Sequence, residues 1–246
     1  MTAAIARQDN QPISIGEEVF HKLWVLVVAG IPTGVVVAGI GSRLTMFLLR
    51  LTSPDSVRGV TSDDGFEIGR ITLGGTYGLL VLGAVVGLIG AAAYRAVAPW
   101  LLGPSWFRRL TVAAASGAVV GSMLVHADGI DFRFLKPLWL AIGLFVALPA
   151  LFGAAIATAV DRIDRRPIPN GRLRWVIPVL LMGAFPLTIP WVLGAVVVLA
   201  AWVSIRRELV SSNGMPKLGA VVIRAVWLAI AVLGLVALIR DVQALA

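Results

Sequence analysis

The sequence predicts an all-α protein, a polytopic transmembrane helical bundle with about seven membrane segments. Hydrophobic residues make up 59% of the chain and charged residues only 14%, and the mean hydropathy is +0.92. Such a composition cannot cover a water-soluble globule with a polar exterior. Several apolar runs approach or exceed the ~20 residues that cross ~30 Å of hydrocarbon, and they lack the short alternating pattern of barrel strands.

The predicted domain organisation is simple. Residues 1–22 form a polar tail that we interpret as cytoplasmic and uncleaved, residues 23–240 form a single transmembrane domain, and residues 241–246 form a short second tail. Apolar runs separated by charged or Pro/Gly-rich connections define the membrane segments. The predicted spans are 23–49, 71–94, 110–125, 137–160, 175–187, 189–205 and 218–239.

Three of these spans carry small residues at a spacing of four. In transmembrane helices this spacing is typical of close helix contacts, and a proline beside it favours a bend. The first span contains Pro32 within such a motif, so the sequence predicts a bent helix against a close neighbour. The glycine pairs are Gly30 and Gly34, Gly83 and Gly87, and Gly117 and Gly121.

The stretch from residue 175 to residue 205 is too long for one crossing. A single helix of that length would measure ~46 Å. Pro186 and Pro190 interrupt its middle, which favours two short helices joined as a hairpin, or a re-entrant segment, over one tilted rod.

The orientation follows from lysine and arginine in the short loops. The connections 95–109, 161–174 and 206–217 hold the basic excess, and basic loops stay on the cytoplasmic side. If 175–205 turns back on itself, all three share the cytoplasm with the amino terminus. The sequence therefore predicts a multi-pass cell (plasma) membrane protein with its amino terminus inside and its carboxyl terminus outside.

Charge and cysteine content narrow the function classes. The net charge of +8 is explained by membrane orientation, so we expect no nucleic-acid partner. The chain has no cysteine and two histidines, which excludes disulfides, thiolate nucleophiles and sulfur-ligated metals. We expect no cofactor; the partners we expect are the lipid bilayer and proteins of a membrane complex.

The central polar interruption, residues 125–133, is the candidate chemical site. His126, Asp128 and Asp131 lie within six positions, and the predicted topology puts Asp64 and Glu67 on the same outer face. Carboxylates bind hard cations, and a histidine beside carboxylates relays protons. Helix capping by Asp64 and Glu67 and a turn at Asp128 explain the same residues without a ligand.

Four arginines are the remaining candidates. Arg43 lies inside an apolar run, where a cation costs ~3 kcal/mol on insertion scales, so it belongs either with the polar or ion site or with a lipid phosphate. Arg50 and Arg133 are candidates for phosphate binding or anchoring. Arg224 lies about two turns after Lys217, and we expect it to anchor its helix at the cytoplasmic interface.

The segments 59–70 and 128–132 carry a resemblance. Together with the bias toward Ala, Val, Gly and Arg, they resemble uncharacterised multi-pass membrane proteins of actinobacteria. The resemblance implies a helical membrane fold and brings with it no activity, substrate or site residue.

Three function classes remain open at this point. A structural or accessory subunit of a membrane complex needs only packing surfaces and ranks first. A small transporter or channel for an ion or small solute would use the broken hairpin at 175–205, which contains no ionisable group before Arg206. An enzyme acting on a lipid or lipid-linked substrate would use His126 as base and arginines for phosphate, but no matched catalytic spacing supports it.

Overall fold

Every regular element in the described residues is helical. The computed structural model describes residues 14–54, 72–126, 132, 136–211 and 217–245. A π-helical turn, Gly34–Ile40, joins the first two α-helices, and short 3-10 turns lie at Ala98–Trp100 and Pro186–Thr188. The α-helices are α1 (Ile15–Thr33), α2 (Gly41–Thr52), α3 (Leu73–Val97), α4 (Ser105–Leu124), α5 (Leu138–Asp164), α6 (Leu173–Ala184), α7 (Ile189–Ser211) and α8 (Lys217–Leu245).

Within the described ranges, five helical stretches are long and apolar enough to cross a membrane. The α6 helix has 12 residues, or about 18 Å, and is shorter than a bilayer core. The α4 helix has 20 residues but includes Arg108 and Arg109 and is not among the five. The predicted count of seven segments therefore stays a prediction. The five are Ile15–Thr52, Leu73–Trp100, Leu138–Asp164, Pro186–Val203 and Arg224–Leu245.

Polar caps set two helix starts. The Glu17 amide donates to the Ser14 hydroxyl at 3.2 Å, so α1 begins before residue 23, the start predicted for the first span. The Gly75 amide donates to the Thr72 hydroxyl at 3.1 Å, which makes Thr72 the cap of α3. Side-chain caps satisfy amide donors that the first turn of a helix leaves unpaired.

The two ends of the bundle are defined by different contacts. At one end, which we call the basal end, α1 starts beside the end of α5, since His21 contacts Asp164 at 3.3 Å. At the other, the distal end, Leu49 of α2 and Val125 after α4 are fully buried in one apolar cluster. Leu238 near the end of α8 belongs to that cluster, so α4 and α8 both run from the basal to the distal end.

The glycine pairs predicted to form close contacts do so. The glycines of the first helix lie against the backbone of α3. A Cβ added at Gly30 would lie 2.8 Å from the Gly87 carbonyl oxygen. A Cβ at Gly83 would lie 2.7 Å from the Gly34 carbonyl oxygen and 2.8 Å from the Gly39 amide nitrogen. Only glycine permits this backbone approach.

The same rule joins α4 to α5 and to α8. A Cβ at Gly117 would lie 3.1 Å from Cβ of Ala150 on α5, and one at Gly234 of α8 would lie 2.9 Å from Cα of Val119 on α4. These small residues let α4 pack between α5 and α8.

Candidate functional site

The predicted site at the central interruption is described only in part. Five of its candidates lie outside the described residues: Asp64, Glu67, Asp128, Asp131 and Arg133. His126 is exposed and directly follows the buried Val125. The structure thus places His126 at the distal end, and a shared carboxylate site there stays a prediction.

Arg43 and Arg50 both belong to α2. Arg43 is half-buried in its first turn and Arg50 is half-buried in its last turn. Leu49 beside Arg50 is fully buried in the distal cluster together with Val125. The structure therefore brings Arg50 to the end of the bundle where His126 lies.

Arg224 lies at the opposite end from these residues. Its side chain is exposed, and its Nε donates to the Trp100 carbonyl oxygen at 3.2 Å. Trp100 ends the 3-10 turn that follows α3. This contact holds the start of α8 at the basal end. Arg224 therefore lies at the opposite end of the bundle from His126 and Arg50.

The structure shows a polar network at the basal end that the sequence reasoning missed. Tyr94 of α3 is buried, with 4% of its surface exposed, and its hydroxyl donates to the Asp161 carboxylate at 2.7 Å. The other oxygen of Asp161 lies 3.8 Å from the Arg108 guanidinium of α4. Three helices, α3, α4 and α5, therefore meet at one carboxylate.

Asp164, one turn further along α5, extends this network. It accepts a hydrogen bond from Arg95 of α3 at 2.7 Å and contacts His21 of α1 at 3.3 Å. Its side chain is 43% exposed, against 13% for Asp161. We call His21, Tyr94, Arg95, Arg108, Asp161 and Asp164 the basal network.

Helix spacing explains how these residues meet. Asp161 and Asp164 are three positions apart and so lie on one face of α5. Tyr94 and Arg95 lie near the end of α3, which runs parallel to α5 so that both helices end at the basal end. Arg108 lies in the first turn of α4. The signal available in the sequence was the presence of ionisable residues at the ends of apolar runs, which does not say which ends meet.

The basal network stabilises the packing of α1, α3, α4 and α5 against one another. The carboxylate of Asp161 is largely buried, where a charge-assisted hydrogen bond gains strength and an unpaired charge is costly. The partners of Asp161, which are Tyr94 and Arg108, lie on other helices. Separating the helices would leave the Asp161 carboxylate without them. Among the described residues, no group of three or more His, Asp or Glu side chains could hold a metal ion.

An apolar cavity of about 80 Å³ lies between α1, α3 and α7. Pockets for small molecules are typically ~300–1,000 Å³ and contain a few polar groups, so this one is too small and too apolar for a polar substrate. It is lined by Leu23, Leu26, Val27, Leu88, Ile89, Ala92, Trp191, Val192 and Ala195.

Comparison of the chain with protein-family models, with curated proteins and with solved structures found no match. The likeness of segments 59–70 and 128–132 to actinobacterial membrane proteins stays a resemblance of sequence. Function is therefore inferred from the geometry of the described helices.

Proposed function

We propose that this chain is an integral protein of the cell membrane that serves as a structural or accessory subunit of a membrane complex. The observation that carries the proposal is the exposure of α8, most of whose apolar surface is uncovered by the rest of the chain. Of the most apolar 18 residues in Arg224–Leu245 only 6% are buried, against 11% in Pro186–Val203 and 50% in Ile15–Thr52. A long apolar helix with so little cover presents a surface to lipid or to another chain.

The attachment of α8 supports the same reading. It contacts the bundle along one side, where Gly234 approaches Val119 and Arg224 reaches Trp100. Large apolar side chains such as Leu228 and Leu233 are 66% and 67% exposed. A fixed helix with one free apolar side is suited to docking a transmembrane helix of a partner subunit.

The basal network fits a scaffold as well. Its carboxylates are engaged by Tyr94, Arg95, Arg108 and His21 of the same chain. Groups held in this way lock the relative positions of helices.

The proposal includes the orientation of the chain. The basal end is cytoplasmic, because the basic connections 95–109 and 161–174 meet there, and basic loops stay inside. The amino terminus then lies in the cytoplasm and the carboxyl terminus outside, in agreement with the direction of α8.

A hairpin formed by α6 and α7 completes seven segments. Trp175 at the start of α6 contacts Phe20 at the basal end, and α8 also starts at the basal end through Arg224. The chain between them must leave that end and return. The turn at Pro186–Thr188 is where it reverses, and the Tyr77 hydroxyl donates to the Ala184 carbonyl oxygen there at 3.1 Å.

Photo-crosslinking tests the assembly role. A photoreactive residue replaces Leu228 or Leu233 on α8, and a matched control replaces Leu151 on α5, which is 60% exposed. In native membranes we expect a discrete protein adduct from the α8 positions and only lipid adducts from Leu151. Lipid adducts alone at all three positions would contradict the proposal.

A further inference from the structure

Arg174 is held against two aromatic rings at the basal end. Its guanidinium carbon lies 4.1 Å from the centroid of the Phe20 ring and 5.7 Å from that of Trp175. The two rings are themselves 4.7 Å apart. Phe20 belongs to α1 and Trp175 to α6, so this stack, formed by Phe20, Arg174 and Trp175, joins two helices.

Stacking prepares an arginine to bind an anion through two hydrogen bonds. The guanidinium is attracted to the ring faces, and the two terminal nitrogens at the edge of its plane can form two parallel hydrogen bonds with a phosphate. The side chain is already ordered, so less rotamer entropy is lost when the anion binds.

Arg174 has no acidic partner in the described part of the chain. The described ion pairs at the basal end join Arg95 and His21 to Asp164, Arg108 to Asp161, and Lys22 to Glu18. The Nε atom of Arg174 is buried without a hydrogen-bond partner. The surrounding segment, 161–174, contains five arginines and two aspartates. An anion from outside the chain would balance this charge.

An apolar stripe continues from the stack along α6. Trp175 is 58% exposed, and Val179 and Leu180 in the next turn are 59% and 67% exposed. Residues 175 and 179, and likewise 176 and 180, lie one above the other on a helix. A cation at the helix start followed by an apolar face matches a molecule with an anionic head and a hydrocarbon tail.

We propose that Arg174 binds the phosphate of an anionic phospholipid, whose acyl chains lie along the exposed face of α6. The hydrocarbon stripe selects a lipid over free phosphate. Basic pockets on the cytoplasmic side of helical bundles are suited to such head groups. The proposal rests on the membrane placement proposed above and needs no protein partner.

Native mass spectrometry of the full chain released from nanodiscs provides the test. The nanodiscs contain phosphatidylglycerol and phosphatidylcholine in equal amounts, and retained lipids are counted for wild type, Arg174→Gln and Arg172→Gln. Arg172 is an exposed neighbour in the same segment, so its change removes equal charge without touching the stack. We expect Arg174→Gln to weaken phosphatidylglycerol retention by about tenfold and Arg172→Gln to leave it close to wild type.

Two further measurements test the contributions of the Phe20 ring and of the acyl chains. Phe20→Leu keeps the charge and removes one ring; we expect partial loss of phosphatidylglycerol retention in a chain that stays folded, as judged by its circular dichroism. Inorganic phosphate at millimolar concentration should not displace the lipid. Equal retention by Arg174→Gln and wild type, equal loss in Arg172→Gln, or displacement by inorganic phosphate would each overturn the assignment. None of these results depends on whether α8 binds a partner subunit.

Discussion

Replacing Gly83 with alanine should separate α3 from the helix it faces. The added Cβ would lie 2.7 Å from the Gly34 carbonyl oxygen and 2.8 Å from the Gly39 amide nitrogen. Both are backbone atoms, so no side-chain rotation relieves the overlap. The two helices must move apart instead.

The cost can be worked from that distance. Ordinary contact begins near 3.4 Å, so the helices must separate by roughly 0.7 Å, and a gap of that size forfeits about a quarter to a half of each dispersion contact along the interface. Overpacking of this kind costs ~1–3 kcal/mol. Alanine returns ~0.5–1 kcal/mol as a better helix former than glycine. A net loss of about 1–2 kcal/mol corresponds to a fall in melting temperature of ~2–8 °C for a chain of this size.

Tryptophan fluorescence during heating in detergent measures the effect, with Gly78→Ala as the control. Gly78 lies on the same helix, and a Cβ there meets nothing within 4 Å, so we expect its melting temperature to equal or exceed that of wild type. If Gly83→Ala melts together with Gly78→Ala, the close backbone contact between α3 and the first helix is refuted.

The remaining predictions concern the basal network. Tyr94→Phe removes the donor to the largely buried Asp161 and should lower the unfolding free energy by ~1–3 kcal/mol, whereas Tyr77→Phe, at an exposed site, should lower it less; melting curves compare the two. Asp164→Asn should cost only ~0.2–1 kcal/mol, because Asp164 and its partner Arg95 are partly solvated, and high salt should shrink that cost further. An Asp164→Asn effect as large as that of Tyr94→Phe would contradict the difference in burial between the two carboxylates.

The sequence was sufficient for an all-helical fold with membrane-length apolar helices and for the helix contacts made by glycine. In lipid the backbone N–H and C=O groups have no water to bond, so long apolar runs favour helices, which pair these groups internally. Small residues at a spacing of four favour close contact with a neighbouring helix. Pro186 likewise indicated the break that separates α6 from α7. These features depend on local composition, which the sequence states directly.

The basal network depends on contacts that no local pattern contains. Tyr94 and Asp161 are 67 positions apart and His21 and Asp164 are 143 apart, so their meeting requires the packing of whole helices. The sequence reasoning instead favoured the interruption around His126, where ionisable residues are close along the chain. Proximity in sequence favoured the distal end, whereas the described carboxylates that join helices, Asp161 and Asp164, lie at the basal end.

Cysteine accessibility at Ser211 tests the central claim most directly, since the chain contains no native cysteine. Single cysteines are placed at Ser211, at Asn170 in the basal connection, and at Pro54 beyond the distal end of α2. Treatment of intact cells with a membrane-impermeant maleimide should label Pro54→Cys, and should label Asn170→Cys and Ser211→Cys only after the membrane is opened. Labelling of Ser211→Cys together with Pro54→Cys in intact cells would mean that 175–205 crosses only once, and the proposed threading would be wrong.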